Sequence, residues 1–254
     1  MVGELILPLE RALSSASERA RYSYEKIAAA RRLRRSSDTL GTIGKWSLEP
    51  FLTGRPSVIV DAGAHVGRDS MEFSMLLPEA KIYAFEADPR NFRRLASCTS
   101  RFPNIIAVFA ALTDECGVVE FIGSSGLSDG SGSILVPTLH RSRHPQVKFH
   151  DEDPSVVPAV ALSDYLRKAR VPKIDLLWAD VQGAERLVLE GAREHLSAIS
   201  LIYAEVSVEP LYDGATTYAD LKEFLASHSF EVEREFMPDD WLGEGNVLFR
   251  NSSL

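Results

Sequence analysis

The most constraining feature of the chain is an apolar run that enters a glycine turn and then opens a helix. Residues 57–62 form a short run of mostly apolar, β-branched side chains that also contains Asp61. Gly63 and Gly67 follow this run and are four residues apart. Glycine permits the tight turn and lets a ligand approach the backbone. The N–H groups and positive dipole end of the next helix can bind a carboxylate or phosphate. The spacing is G-x-x-x-G, so the dinucleotide fingerprint G-x-G-x-x-G is absent.

The same alternation of strand and helix continues along the chain. Further strands are predicted over Lys81–Glu86, Ile105–Phe109, Ile174–Ala179 and Leu201–Val206, and helices over Arg68–Leu77, Pro89–Arg101, Ala184–Leu196 and Tyr218–His228. This order is typical of βαβ units and predicts an α/β fold with a parallel sheet. Phe230–Phe236 and Asn246–Arg250 are close enough in sequence to form a terminal antiparallel pair.

The middle of the chain breaks this pattern. Gly117–Ile122 and Val156–Leu162 read as strands, and Gly123–Ser155 between them is rich in Gly, Ser, His and Pro. We expect this connection to lack structure of its own, and such long connections are usually functional or disordered.

Carboxylates stand at the ends of several predicted strands. Glu86 ends the second strand, 25 residues after Asp61, and Asp180 and Glu205 end two later strands. In a doubly wound sheet, the acid after the second strand reaches the ribose hydroxyls of a nucleotide. A carboxylate accepts hydrogen bonds and a diol donates two. The glycine turn and Glu86, at the ends of adjacent strands, together predict an adenosine-type ligand. Glu185 lies in the first turn of the next predicted helix. It either stabilises that helix through the helix dipole or takes part directly in the reaction.

Composition narrows the function classes. The chain has 254 residues and a net charge of −8. Residues 11–35 hold eight basic and two acidic groups, so the remaining body is acidic, which makes nucleic acid an unexpected partner. The apolar runs are too short for a membrane span, and the start does not resemble a secretory signal. Two cysteines, Cys98 and Cys116, are too few for a disulfide framework and favour the cytoplasm.

The N-terminal arm is predicted to be separate from the body. Residues 9–35 carry apolar side chains at spacings of three and four, which predicts a helix. We expect an arm and linker over residues 1–50 and one domain over residues 51–254. We expect the arm to pack on the body or to mediate a homodimer. The alternatives are that it forms a lid over a ligand or an anchor for an anionic partner.

Four motifs, taken in order, resemble the FkbM family of S-adenosylmethionine-dependent methyltransferases. They are Asp61-Ala62-Gly63-Ala64-His65-Val66-Gly67, Ala84-Phe85-Glu86-Ala87-Asp88-Pro89, Asp180-Val181-Gln182-Gly183-Ala184-Glu185 and Ala204-Glu205. The resemblance covers roughly residues 57–250. It implies the class I methyltransferase fold, a Rossmann-like doubly wound sheet of seven strands that is mostly parallel with an antiparallel last strand. It also implies S-adenosylmethionine as the cofactor.

The resemblance further implies which residues hold the cofactor. The first turn would surround its methionine part, Glu86 its ribose, and the residues after the second and third strands its adenine. The predicted cofactor residues are Asp61, Gly63, His65, Gly67, Glu86, Ala87, Asp88, Ala111, Leu112, Ser133, Asp180, Val181 and Gln182. Two departures stand out: His65 replaces the usual Asn, and Trp178-Ala179-Asp180-Val181-Gln182-Gly183 replaces Lys-Ile-Asp-Val-Glu-Gly. The second departure changes the charge beside the substrate.

The expected chemistry is transfer of a methyl group to a hydroxyl. The transfer is an in-line displacement, so alignment supplies much of the rate. Asp180 is the first candidate for the base that removes the hydroxyl proton, and Glu205 is the next. Alternatively, both hold a divalent cation such as magnesium.

Two loops are further candidates. Leu139–Asp153 is either a solvated loop or a substrate-recognition loop that offers His140 or His144 as a base. Gly126–Ser133 either closes over the cofactor, with Ser131 or Ser133 donating to its carboxylate, or is a surface hairpin.

The sequence therefore favours O-methylation of a small metabolite, sugar or polyketide-type natural product. A nucleotide-dependent oxidoreductase is the first alternative, and the missing G-x-G-x-x-G counts against it. A non-catalytic cofactor-binding or scaffold protein is the second, and the four strand-end acids count against it. Methylation of nucleic acid would need a pocket for a flipped base, and no motif such as Asn-Pro-Pro-Tyr is present.

Overall fold

The computed structural model describes residues 45–52, 57–237 and 243–254. The helix predicted over residues 9–35, with its lid, anchor and dimer roles, lies outside the described residues. A 3₁₀ turn over Lys45–Leu48 leads into a short helix over Glu49–Leu52, which spans the predicted domain boundary after residue 50. Within the described ranges, no helix has the length and apolarity needed to cross a membrane.

Twelve strands and seven helices are numbered here in chain order. The strands are β1 (Val58–Ala62), β2 (Lys81–Glu86), β3 (Ile105–Phe109), β4 (Ala111–Thr113), β5 (Gly117–Phe121), β6 (Ser124–Gly126), β7 (Val147–Phe149), β8 (Ser155–Ala161), β9 (Ile174–Ala179), β10 (Ile199–Ser207), β11 (Phe230–Phe236) and β12 (Glu244–Asn251). The helices are α1 (Glu49–Leu52), α2 (Arg68–Leu76), α3 (Pro89–Thr99), α4 (Leu139–Arg143), α5 (Leu162–Ala169), α6 (Glu185–Gly191) and α7 (Tyr218–Ala226).

The central sheet confirms the predicted fold class. Its seven strands lie in the order β11-β12-β10-β9-β1-β2-β3. All neighbouring pairs are parallel except those of β12, which runs antiparallel to both β10 and β11. Every residue of β9 is buried, as expected for a parallel strand covered on both faces. The strand order reverses between β1 and β9, which is where open α/β sheets bind ligands.

The two faces of the sheet bury different side chains. One face holds a core that includes Val60, Leu177 and Ile202, and the other includes Ile59, Trp178 and Tyr203. The Trp178 and Tyr203 rings stack with centroids 3.6 Å apart.

The first described residues pack against this second face. The buried Lys45 ammonium lies 4.2 Å from the centroid of the Trp178 ring and pairs with Asp69 and Glu72. Leu48 and Leu52 join the same core. Residues 45–52 are therefore packed on the body.

The segment predicted over Ala184–Leu196 as one helix is divided in the structure. α6 ends at Gly191, and a 3₁₀ helix over Arg193–Ala198 follows. A Cβ at Gly191 would lie 2.0 Å from the Thr113 carbonyl oxygen. The close approach of α6 to β4 therefore requires glycine, which is a poor helix former, and the helix ends there.

The expectation that Gly123–Ser155 lacks structure is wrong. The segment contains the antiparallel pair β6–β7 and the helix α4. Isolated backbone bridges tie Ile122 to Ser133 and Pro137 to Tyr212. Beside it, β4, β8 and β5 form a small sheet. Elements of three to five residues are too short for a visible hydrophobic period.

Candidate active site

A cleft of about 560 Å³ opens where β1, β2 and β9 end. Eight of the predicted cofactor residues line it: Gly63, His65, Glu86, Ala87, Ala111, Leu112, Asp180 and Val181. The rest of its wall is apolar, from Phe85, Ala110, Phe121, Ile134 and Ala184, or comes from Asn91 and the loop residues Asp129, Gly130 and Gly132.

The turn after β1 forms the floor of the cleft. Gly63 and His65 both have positive φ angles, of 83° and 51°. The backbone N–H groups of Gly63 and Ala64 both donate to the Phe85 carbonyl, at 3.1 and 2.8 Å. A Cβ at Gly63 would lie 1.8 Å from the carbonyl oxygen of Asp180. Only glycine therefore lets the ends of β1, β2 and β9 approach so closely.

Glu86 connects two turns beside the cleft. One carboxylate oxygen accepts the His65 N–H at 2.7 Å, and the other accepts the Asp88 N–H at 2.6 Å. Burial raises the pKa of Glu86 to about 8, although these hydrogen bonds work against the shift. Each oxygen keeps a second lone pair that can accept a hydroxyl from a ribose.

Asp61 and Gly67 lie behind this wall. The buried Asp61 carboxylate accepts a hydrogen bond from Ser70, and burial and then the charge of Asp69 raise its pKa to about 7. A Cβ at Gly67, with φ 85°, would lie 2.7 Å from Leu95. Both residues shape the start of α2 from beneath the cleft.

Asp88 and Ser133 have partners within the protein. Asp88 caps α3 through the Arg90 N–H, at 2.7 Å, and pairs with the Arg90 guanidinium. Burial alone would raise the pKa of Asp88, but the hydrogen bonds and charge of Arg90 outweigh it and lower the pKa. Ser133 donates to the Gln182 carbonyl at 2.9 Å. Neither side chain lines the cleft.

The loop before Ser133 forms one side of the cleft. The Asp129 carboxylate lies 2.9 Å from His65 Nε2 and pairs with Arg94. Asn91 donates to the Asp129 backbone carbonyl at 2.8 Å. The loop is thus anchored to α3 and to the first turn. Asp129 lies within the loop Gly126–Ser133 that the sequence offered as a cover for the cofactor, but neither Asp129 nor Asn91 was predicted as a site residue.

Asp180 and Glu205 meet at the edge of the sheet. The β9–β10 register pairs Ala179 with Ala204, which puts the two acids side by side. They hydrogen-bond to each other, and burial is the first cause that raises the pKa of both, with Glu205 well above its usual range. Asp180 is an exposed residue that lines the cleft, whereas Glu205 is half-buried and lines the second cavity. Burial and the neighbouring carboxyl groups therefore favour a state in which the two acids share one proton.

A second cavity of about 490 Å³ lies across the turn 180–185 from this cleft. Its lining includes Gln182, Glu205, Tyr212 and Glu244. Gln182, predicted to touch the cofactor, thus faces the second cavity. The buried Glu185 accepts the N–H groups of Val181 and Gly183, at 3.1 and 3.3 Å. Its observed role is to hold the turn together, and burial raises its pKa to about 7.

His144 is connected to the second cavity and not to the first. Its Nε2 lies 3.0 Å from Glu244, and its ring centroid is 4.7 Å from that of His140. The buried His140 ring also packs on Tyr212 and Phe149. Burial, and then the nearby His144, lower the pKa of His140. This part of Leu139–Asp153 is therefore packed against the body.

The acid pair is bridged by an amide group in this arrangement. Within residues 45–52, 57–237 and 243–254, no group of three or more His, Cys, Asp or Glu side chains is placed to hold a metal ion. Gln182 Nε2 donates to both Asp180, at 2.9 Å, and Glu205, at 2.6 Å. One oxygen of each carboxyl group therefore already accepts an amide hydrogen, which a cation would have to displace to use that oxygen.

Comparison with known proteins agrees with this geometry. The profile of the Methyltransferase FkbM domain matches residues 61–232. The chain is 35% identical over 202 residues to 2-O-methyltransferase NoeI of Sinorhizobium fredii, which spans 78% of this chain and 80% of that protein. It is 23% identical over 184 residues to hexuronic acid methyltransferase AglP of Haloferax volcanii, across 72% of this chain and 67% of that protein.

A solved structure shares the fold. The crystal structure of methyltransferase FkbM from Methylobacillus flagellatus KT superposes with a TM-score of 0.50 and 15% identity, over 89% of this chain and 59% of that chain. The family profile covers most of the chain and the observed strand order agrees with the predicted fold. The chain therefore belongs to the FkbM family of S-adenosylmethionine-dependent methyltransferases.

Proposed function

We propose that this methyltransferase acts on a hydroxyl of a sugar-type acceptor. The observation that carries the proposal is the position of Asp180, whose carboxylate faces the cofactor cleft beside the turn that separates it from the second cavity. The name of one relative, a 2-O-methyltransferase, supports a hydroxyl acceptor, and the name of another, a hexuronic acid methyltransferase, supports a carbohydrate.

The residues of the cleft fit the cofactor. Glu86 would accept hydrogen bonds from the ribose hydroxyls, and Ala111, Leu112 and Phe121 offer an apolar wall for the adenine. The turn at Gly63 and His65 would surround the methionine part. When bound, S-adenosylmethionine supplies an electrophilic methyl group on a sulfonium.

Asp180 would act as the base for the acceptor hydroxyl. The hydroxyl proton goes to the Asp180 carboxylate, and the oxygen lone pair forms the bond to the methyl carbon. The bound cofactor would supply the methyl group, and its sulfur would keep the electron pair of the carbon–sulfur bond. Glu205 keeps its proton and holds Asp180 in place by hydrogen bonding. A base of this kind contributes about 10²- to 10⁴-fold to the rate.

A labelling experiment tests this function. The full chain is incubated with methyl-labelled S-adenosylmethionine and a matched set of neutral hexosides, deoxyhexosides and hexuronides. We expect an O-methyl product with one S-adenosylhomocysteine per transfer, and a loss of about 100-fold in turnover for Asp180→Asn. Label found only as a carboxyl ester, or turnover unchanged in Asp180→Asn, would contradict the proposal.

The metal requirement has a separate test. Because Gln182 occupies the acid pair, turnover should be the same with EDTA as with added magnesium. If EDTA abolished activity and magnesium restored it, the reaction would require a divalent cation.

The cellular setting is also part of the proposal. Cys98 and Cys116 are both free and exposed, which is compatible with the reducing cytoplasm predicted from the sequence. A homodimer through the N-terminal arm stays a prediction.

A further inference from the structure

Gln182 lies at the boundary between the two cavities and has its side chain fully engaged. Its Nε2 donates one hydrogen to Asp180, at 2.9 Å, and one to Glu205, at 2.6 Å. Its Oε1 lies 3.0 Å from the Tyr212 hydroxyl, which also contacts the Ser131 carbonyl at 2.9 Å. The single hydroxyl hydrogen of Tyr212 is shared between the Ser131 carbonyl and Gln182 Oε1, and two carboxyl groups on the other side accept from Nε2, which favours this orientation of the amide.

The groups around Asp180 and Glu205 are mostly acidic. Glu185 from α6, Glu244 from β12 and Asp69 from α2 act electrostatically on one or both members of the pair, and His65 from the first turn acts on Asp180. Tyr212 lies against the same acids. So many carboxyl groups cannot all be charged in one place. A neutral donor can hold the pair without adding a charge, whereas a carboxylate cannot.

We propose that Gln182 is the positioning residue of methyl transfer. Its amide holds Asp180 and Glu205 as a pair that shares one proton, which keeps Asp180 aligned as the carboxylate that takes the hydroxyl proton. This inference rests on the proposed function, because it assigns Gln182 a role in the same proton transfer. Gln182 acts through Asp180 and does not itself take the proton.

Gln182→Glu tests the inference through the pH profile. Glutamate has the same length, but it can donate a hydrogen only when it is protonated. The variant therefore needs one more proton to reach the active arrangement. We expect turnover about tenfold lower at pH 8 and a progressive recovery toward pH 6, with KM for the cofactor within about twofold of the wild type. An equal loss at every pH would overturn the inference.

The matched control is Gln146→Glu. Gln146 is exposed, outside both cavities, so the same change of charge should leave the pH profile as in the wild type. If the pH profile of Gln146→Glu shifted in the same way as that of Gln182→Glu, the shift would result from the added net charge. That result would overturn the inference.

A second readout does not depend on any acceptor. A half-buried glutamate beside two acids has a higher pKa in the folded than in the unfolded protein, so its stabilising protonation is lost as the pH rises through the folded value. The melting temperature of Gln182→Glu should therefore fall increasingly below that of the wild type between pH 6 and pH 8.5. A constant difference would overturn the inference, whether or not a sugar is methylated.

Tyr212→Phe provides a variant that adds no charge. It removes the hydroxyl that orients the amide, and we expect turnover lower by about tenfold with unchanged cofactor affinity. Unchanged turnover would overturn the inference. If the wild type binds the cofactor but methylates no glycoside, the proposed function fails, and the melting comparison still decides the role of Gln182.

Discussion

Glu86 illustrates how one side chain serves both the fold and the ligand. Its two oxygens hold the turns after β1 and β2 through the N–H groups of His65 and Asp88. Burial raises its pKa to about 8, so the free protein binds a proton there near neutral pH. Ribose hydroxyls that donate to the carboxylate would favour its charged form.

Binding of the cofactor should therefore release a proton from Glu86. Calorimetry at pH 7, in buffers of different ionisation enthalpy, should show release of up to about one proton with S-adenosylhomocysteine. The matched variant Glu86→Gln should bind more weakly and release none from this site. Equal proton release in both proteins would contradict the assignment.

The individual site residues differ in how far they could be predicted. Glu86 and Asp180 follow apolar strands, so local sequence was enough to place them at the sheet edge. Tyr212 and Asp129 reach the site through contacts with residues distant in sequence, such as Ser131 and His65. No local pattern encodes such contacts. Gln182 was predicted, but its position on the second cavity depends on Glu205, 23 residues away.

Among the elements, α6 depends on a glycine. A Cβ at Gly191 would meet the Thr113 carbonyl at 2.0 Å and the Ala161 Cα at 3.3 Å, both of them backbone. Gly191→Ala should therefore push α6 away from β4 and β8. We expect a loss of about 1–3 kcal/mol of stability, or roughly 3–10 °C in melting temperature.

Gly117→Ala is the control for this change. Nothing lies within 4 Å of a Cβ at Gly117, so its melting temperature should stay within about 2 °C of the wild type. A drop as large as that of Gly191→Ala would mean that the loss comes from glycine replacement in general and not from close packing.

Long apolar strands were predictable, and short elements were not. β1, β2 and β9 are runs of five or six mostly apolar residues, which give a clear signal. α5 was missed because β8 ends at Ala161 and the helix begins at Leu162, with no glycine or proline turn between them. β4 has only three residues, and its pairing with β8 is a long-range contact.

The whole molecule carries several buried acids with raised pKa values. Burial raises the pKa of Asp61 and Glu185 to about 7 and that of Glu86 to about 8. The folded protein therefore holds more protons than the unfolded chain above pH 5. Stability is highest where these acids are protonated and is lost as the pH rises through their folded values.

The melting temperature of the ligand-free protein should accordingly fall between pH 6.5 and pH 8. This window lies above the range in which His140 titrates, since its pKa is lowered. Glu86→Gln should reduce the slope, because one titrating acid is removed. A melting temperature that rises steadily across this window would contradict the sign of these shifts.

Among the described residues, none lines both cavities. The cofactor cleft takes its wall from the turn after β1, from β2 and β4, and from the loop 129–134 and the turn 180–184. The second cavity takes most of its wall from residues 205–221 and Glu244. Substitutions among residues that line the second cavity therefore do not alter the lining of the cofactor cleft. During divergence, residues of the second cavity outside the Gln182 network, such as Pro210 and Thr216, can therefore change while the cofactor cleft is inherited intact.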